Sequence, residues 1–174
     1  MPEQGPEQPS RQIPDPGFAG DDGTADLRVA AALASYAADP ARHLAVFVAL
    51  QASRVLVPVV AVAGEVAYDD AGLAHDKTSD MATTLLTGRD GRQALLAFTS
   101  LTTLQAWRPD ARPVPVAAVL AARSALQEGA SALVLDVAGP VTYAVEGELL
   151  EGLARGWTLT ETPSGAVWEA PGGE

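Results

Sequence analysis

The chain has 174 residues, 48% of them hydrophobic and 19% charged, with a formal net charge of −11. That length and apolar content fit one core-bearing domain with tails and argue against wholesale disorder. Cysteine is absent and histidine occurs twice, which excludes disulfides, thiol chemistry and cysteine zinc sites, while an acidic balance with one lysine, Lys77, disfavours nucleic acid and anionic membrane as partners.

Residues 1–24 read as a disordered, acidic leader, with five prolines and the acids Glu3, Glu7, Asp15, Asp21 and Asp22 against Arg11. It lacks the basic start and apolar run of a secretory signal. Residues 25–160 carry the pattern of a folded domain. Val29, Leu33 and Tyr36 lie at helical spacing within 25–38. Asp39-Pro40 is an N-cap followed by proline at the first helical position, opening a second helix to about Ala52. The apolar stretch 44–63 is long enough for a membrane span, but Gln51, Ser53 and Arg54 sit at its middle. It therefore parses as the end of that helix, a break, and a strand over 55–63, and a cytoplasmic protein is expected. Pro58 has no N–H to give a ladder, which places the strand at an edge or on a bulge.

A polar loop follows over 64–79. Strand-like runs at 81–87 and 93–99 flank GRDGR, where Asp90-Gly91 is a hairpin signal. Ser100 caps a short helix with Leu101, Leu104 and Trp107 on one face. Residues 112–116 are extended, since a residue before proline is pushed out of the helical region. A helix over 117–128 stops at Gly129, strands 132–137 and 141–145 flank a Gly139-Pro140 turn, and a last helix runs over 146–155 to Gly156. Residues 161–174 favour a flexible tail, unless Val167 and Trp168 dock a short strand. The sum is an α+β fold: a single mixed, partly antiparallel sheet of about five strands packed with helices.

Five places could carry chemistry. His75, Asp76 and Asp80 cluster in the polar loop and could serve acid–base work, but their spacing matches no EF-hand or zincin pattern, so no metal and no cofactor is expected. Neither Ser79 nor Ser100 stands in a G-x-S-x-G elbow. Arg89 and Arg92 flank the hairpin tip and could grip an acidic ligand. That tip is no phosphate loop, since Arg92-Gln93 follows Gly91 where G-K-[ST] would be needed. Thr99 and Ser100 stand where a helix start could bind an anion, or where capping uses the same donors. Trp107 with Arg112-Pro113-Val114-Pro115 could form a peptide groove, although Trp107 is also spaced to be core.

The segments VLVPVVA (55–61), HDKTSDMATTLLTGRDGRQALLAFTS (75–100), LQAWRPDARPVPV (104–116) and SALVLDVAGPV (131–141) together resemble the SseB N-terminal domain family in its actinobacterial form, over roughly residues 25–156. The second domain of some longer members is not expected here. The resemblance implies a compact mixed domain of a bacterial cytoplasmic protein and supplies no catalytic residues. Sulfur transfer of the rhodanese kind, which needs a cysteine persulfide, is excluded by composition. Two readings follow. One is a non-catalytic binding or regulatory module that holds a protein partner. The other is a small-molecule or metal-dependent enzyme built on His75, Asp76 and Asp80.

Overall fold

The computed structural model describes residues 17–62, 67–68, 74–75 and 80–172. Helix α1 (Leu27–Ala38) starts where the Asp26 carboxylate accepts the Arg28 amide, and it buries Val29 and Leu33. Asp39 then caps a 3₁₀ turn, Pro40–Arg42, which leads into α2 (His43–Gln51). Val46, Phe47 and Leu50 of α2 are fully buried. The Asp39-Pro40 start lies where the sequence puts it, with one tight turn inserted before the helix proper.

Strand β1 (Arg54–Val62) is the middle of a three-stranded antiparallel sheet, between β4 (Asp80–Thr83) and β7 (Arg112–Ala117). A second, four-stranded sheet has the order β5 (Leu85–Thr87), β6 (Gln93–Ala97), β8 (Ala132–Leu135), β9 (Tyr143–Glu146), with β6 and β8 parallel and the other pairs antiparallel. Leu56 and Phe98 join the two by exchanging both backbone hydrogen bonds at 2.8 Å. Short strands β2 (Ala67–Tyr68) and β3 (Ala74–His75) pair with each other. The class is α+β with mixed pairing, as expected.

Pro58 thus stands in a central strand, not at an edge. The register explains how. Leu56 spends its N–H and C=O on Phe98, so Leu56 and Pro58, two residues apart, aim their amide positions away from β7. On that side the Phe98 bridge ends at Leu56 and the β4 pairing begins at Val59, so Pro58 falls where neither ladder asks for a donor. On β7, Pro113 and Pro115 oppose Pro58 and Leu56, so their amide positions face the free edge. That edge offers carbonyls at two successive outward positions and no N–H, which blocks strand addition.

The inner face of the four-stranded sheet carries Leu95, Ala97, Leu133, Leu135, Tyr143 and Val145, packed with α1, α2, α4 (Ala118–Gln127) and α5 (Gly147–Ala154) in the main core. On the outer face, α3 (Leu101–Trp107) lays Leu104 over Leu96 and Phe98 in a smaller cluster with Leu56 and Ala111. Beyond α5, β10 (Thr158–Thr162) and β11 (Gly165–Glu169) form a hairpin where a flexible tail is expected from 161; Trp168 packs against the core and Val167 stays exposed. Gln51 holds it through both amide atoms, donating to the Leu159 carbonyl at 2.8 Å and accepting its N–H at 2.9 Å. Trp168 meets Phe47 edge-on at 5.6 Å.

Replacing Pro113 and Pro115 together by threonine restores two outward donors on a free edge. The variant is expected to self-associate more than the parent in size-exclusion and light-scattering measurements. An equally monodisperse variant contradicts the edge-blocking role.

Candidate functional site

The ends of the parallel strands β6 and β8 meet in a buried polar knot. Asp136 follows β8, is 2% exposed, and has φ +53°, the left-handed region that aspartate tolerates better than most residues. Its Oδ1 accepts the Thr99 amide at 2.9 Å and the Thr103 hydroxyl at 2.6 Å, and its Oδ2 accepts the Thr99 hydroxyl at 2.6 Å. Its carbonyl takes the Gly139 amide and the Thr142 hydroxyl, which closes the Gly139-Pro140 turn. Ser100 caps α3, accepting the Thr103 amide at 3.2 Å in a reciprocal capping box. The helix start at Thr99 and Ser100 is therefore occupied by a carboxylate and a cap from the chain itself.

A second set of contacts runs on from this knot. Arg54 opens β1 with an 11% exposed side chain; it donates to the Thr99 carbonyl at 2.6 Å and grips Asp21 through two nitrogens, at 2.5 and 3.1 Å. It also donates to the Thr24 carbonyl. Gly23 sits against Leu101, whose N–H donates to the Gly23 carbonyl at 2.8 Å; its φ of +76° and the ring of contacts leave no room for a Cβ. Residues 17–24, read from composition as leader, are thus docked. The cause is a cation buried at a strand start, which composition does not register. The Arg54 guanidinium holds the Asp21 carboxyl below the usual carboxylate range.

The other candidates separate. Trp107 packs one face on Phe98 at 5.5 Å and has the Arg108 guanidinium 5.2 Å from its ring centre, so the indole is engaged rather than lining an open groove. Arg112 is an exposed residue at the start of the proline-blocked edge. Arg89 and Arg92 flank the tip, which turns at Gly91 with φ +81°. Arg92 is held by Asp90 at 2.6 Å and reaches Glu146 at 3.5 Å. Asp76 lies outside the described residues, as do the side chains of His75 and Asp80. Among the described residues, no group of three metal-ligating side chains comes together.

Arg92 and Glu146 mark a surface that periodicity alone does not reveal. Helix α3 covers the outer sheet face at the Leu96–Phe98 end, and the other end is bare. There the cross-strand row Leu86, Ala94, Ala132, Glu146 and the adjoining Val134 and Ala144 line a cavity of about 240 Å³. Leu86 is 42% exposed and Ala144 is open to solvent. Asp90 and Arg92 stand at the rim with Glu146, so a small apolar floor is bordered by both signs of charge.

The model of the SseB protein N-terminal domain matches residues 29–152, and the chain belongs to that family. No curated protein and no solved structure matches the chain. Among the described residues, no helix is long and apolar enough to cross a membrane.

Two outcomes test the knot and the docked segment. Asp136→Ala strands the Thr99 donors in the interior and is expected to cost about 3 kcal/mol in urea denaturation; Asp136→Asn, which keeps the left-handed backbone and one acceptor, should cost less. A loss under about 1 kcal/mol for alanine contradicts the knot's role. Asp21 titrates lower in the folded than in the unfolded state, so its contribution is complete above the unfolded value near pH 3.9 and fades as pH falls through the folded one. The protection of the Leu101 amide, bonded to Gly23, measured against its intrinsic exchange rate at each pH, should fall on acidification below about pH 4 and should already be low at neutral pH in Asp21→Asn.

Proposed function

We propose that this member of the SseB N-terminal domain family is a non-catalytic module that binds a protein partner through the bare end of its outer sheet face. The observation that carries the reading is the apolar floor of Leu86, Ala94, Val134 and Ala144 beside a hairpin tip whose Arg92 is already paired to Asp90 and Glu146. A sheet face left half covered by its own chain is where a second chain gains apolar burial without opening the core. The charged rim adds orientation, because Asp90, Arg92 and Glu146 offer both signs to a complementary partner.

The chemistry of the buried groups supports the same reading. Asp136 is the buried carboxylate among the described residues, and both its oxygens are filled by donors of the chain. Such a group positions strands; it is not left free to take a proton from a substrate. Family membership supports a bacterial cytoplasmic setting, and the net charge of −11 supports a protein rather than nucleic acid or anionic lipid as the partner.

Leu86→Asp and Ala144→Arg each place a charge on the floor at positions already open to water, so the fold should survive, with unchanged far-UV circular dichroism. Partner capture by the immobilised chain is expected to fall about ten-fold in either variant. Capture that is unchanged in both overturns the assignment of this face, and turnover of a small molecule by the purified chain in a metabolite screen overturns the non-catalytic reading.

A further inference from the structure

On the far side of α5 lies a different kind of cavity, of about 240 Å³, lined by Glu148, Glu151, Gly152, Arg155, Trp157 and Trp168. The two indole rings stand 6.3 Å apart at 64°, so they form a corner and not a stack. Trp168 is fixed there from behind by Phe47 and by Gly152, at which any Cβ would lie 2.4 Å from the ring. Two carboxylates from consecutive turns of α5 face the aromatic corner. Rings that present their negative faces, next to acidic side chains, attract a cation whose charge is spread and weakly hydrated.

The chain already places one such group at this spot. The Arg155 guanidinium lies 5.4 Å from the centre of the Trp157 ring and donates to Glu151 at 3.3 Å. Both side chains of that pair are more than half exposed, at 58% and 57%, so solvent screens the pair and it is easily exchanged. Arg155 thus reports what the cavity accepts and is held weakly enough to yield. The volume is below the roughly 300–1,000 Å³ of sites for drug-sized ligands and suits a single head group or side-chain end.

We propose that the Trp157–Trp168 corner, with Glu148 and Glu151, is a binding site for a quaternary ammonium group, which displaces Arg155 from the Trp157 ring. Trp157 and Trp168 lie beyond the residues 29–152 matched by the family model, and the proposal does not rest on the sheet-face reading.

The test is saturation-transfer NMR on the methyl protons of choline, at constant ionic strength, with 3,3-dimethylbutan-1-ol as the neutral isostere. Choline is expected to bind the full chain and the isostere to bind far more weakly. Arg155→Ala, which removes the internal occupant, should tighten choline binding about three-fold, the worth of an exposed cation–π contact. Trp157→Ala should weaken it about ten-fold, and Glu148→Gln with Glu151→Gln should weaken it while leaving the isostere unaffected. Glu148, Glu151 and Arg155 are exposed and Trp157 is half-buried, and the Gln51–Leu159 clamp and Trp168–Phe47 contact that hold the hairpin are left intact in each variant. A trimethyl-lysine peptide run in parallel separates the sources: tighter binding than choline assigns the site to a modified side chain, and weaker binding assigns it to a free small molecule. Equal binding of choline and its isostere, unchanged affinity in Trp157→Ala, or no choline signal from either the parent or Arg155→Ala overturns the proposal.

Discussion

One polar chain of contacts holds four regions of this fold in register. It begins at Asp21, passes through the Arg54 guanidinium to the Thr99 carbonyl, and continues from the Thr99 amide and hydroxyl into Asp136 and on to Thr103. Its members come from the amino-terminal segment, the first residue of β1, the β6–α3 junction and the end of β8. Among the described residues, the backbone bridge between β1 and β6 is the pair Leu56 and Phe98. Two flanking charges, one cationic and one anionic, fix that junction from either side. Such groups are tolerable away from water because each oxygen and each guanidinium nitrogen used is met by a partner.

Fixing the junction also decides what the outer sheet face looks like. Helix α3 has seven residues, too few to be stable alone, and it stays in place through its capping box and through Thr103 on Asp136. So short a helix shields Leu96 and Phe98 and stops there. The opposite end of the face, with Leu86 and Ala144, is left to solvent. The bare face is therefore a consequence of helix length, and its small side chains keep it shallow enough to remain in water without a partner. At the β7 edge of the other sheet, Pro113 and Pro115 remove the donors that would invite strand addition there.

Signals that act over a few residues were readable in the chain as written. Asp39, Ser100 and the Asp90-Gly91 tip do what their local chemistry predicts, and Gly129 and Gly156 end helices with positive φ. Signals that depend on a distant partner were not. Pro58 reads as an edge residue because a missing N–H is a local fact, whereas the gap it fills is made by β4 and by Phe98. Residues 17–24 read as leader because glycine and acid dominate them and five prolines precede them, whereas their anchor is Arg54, 33 residues beyond Asp21. The carboxyl-terminal hairpin is held by Gln51, 108 residues from Leu159. For the site, Arg92 was visible as a charge beside a turn, but Glu146 becomes its neighbour only through the pairing of β6 with β8 and of β8 with β9. Asp136 had one faint signal, an acid closing the buried run Ala132–Leu135 immediately before a glycine–proline turn.

Helix α5 brings the two proposed surfaces into one frame. Its inward side, Leu150, Leu153 and Ala154, belongs to the main core and is what apolar spacing detects. Its outward side sets Glu148, Glu151 and Arg155 at helical spacing, and Glu148 in the first turn also faces the positive end of the helix dipole. Glu151 lines both the tryptophan cavity and a neighbouring one that reaches Leu126, Arg92 and Glu146. Displacing Arg155 from the Trp157 ring breaks its ion pair with Glu151, and the occupant's cation takes the guanidinium's place beside that carboxylate, so the site exchanges one exposed, weakly paired cation for another and leaves the charge on the Arg92 side as it was.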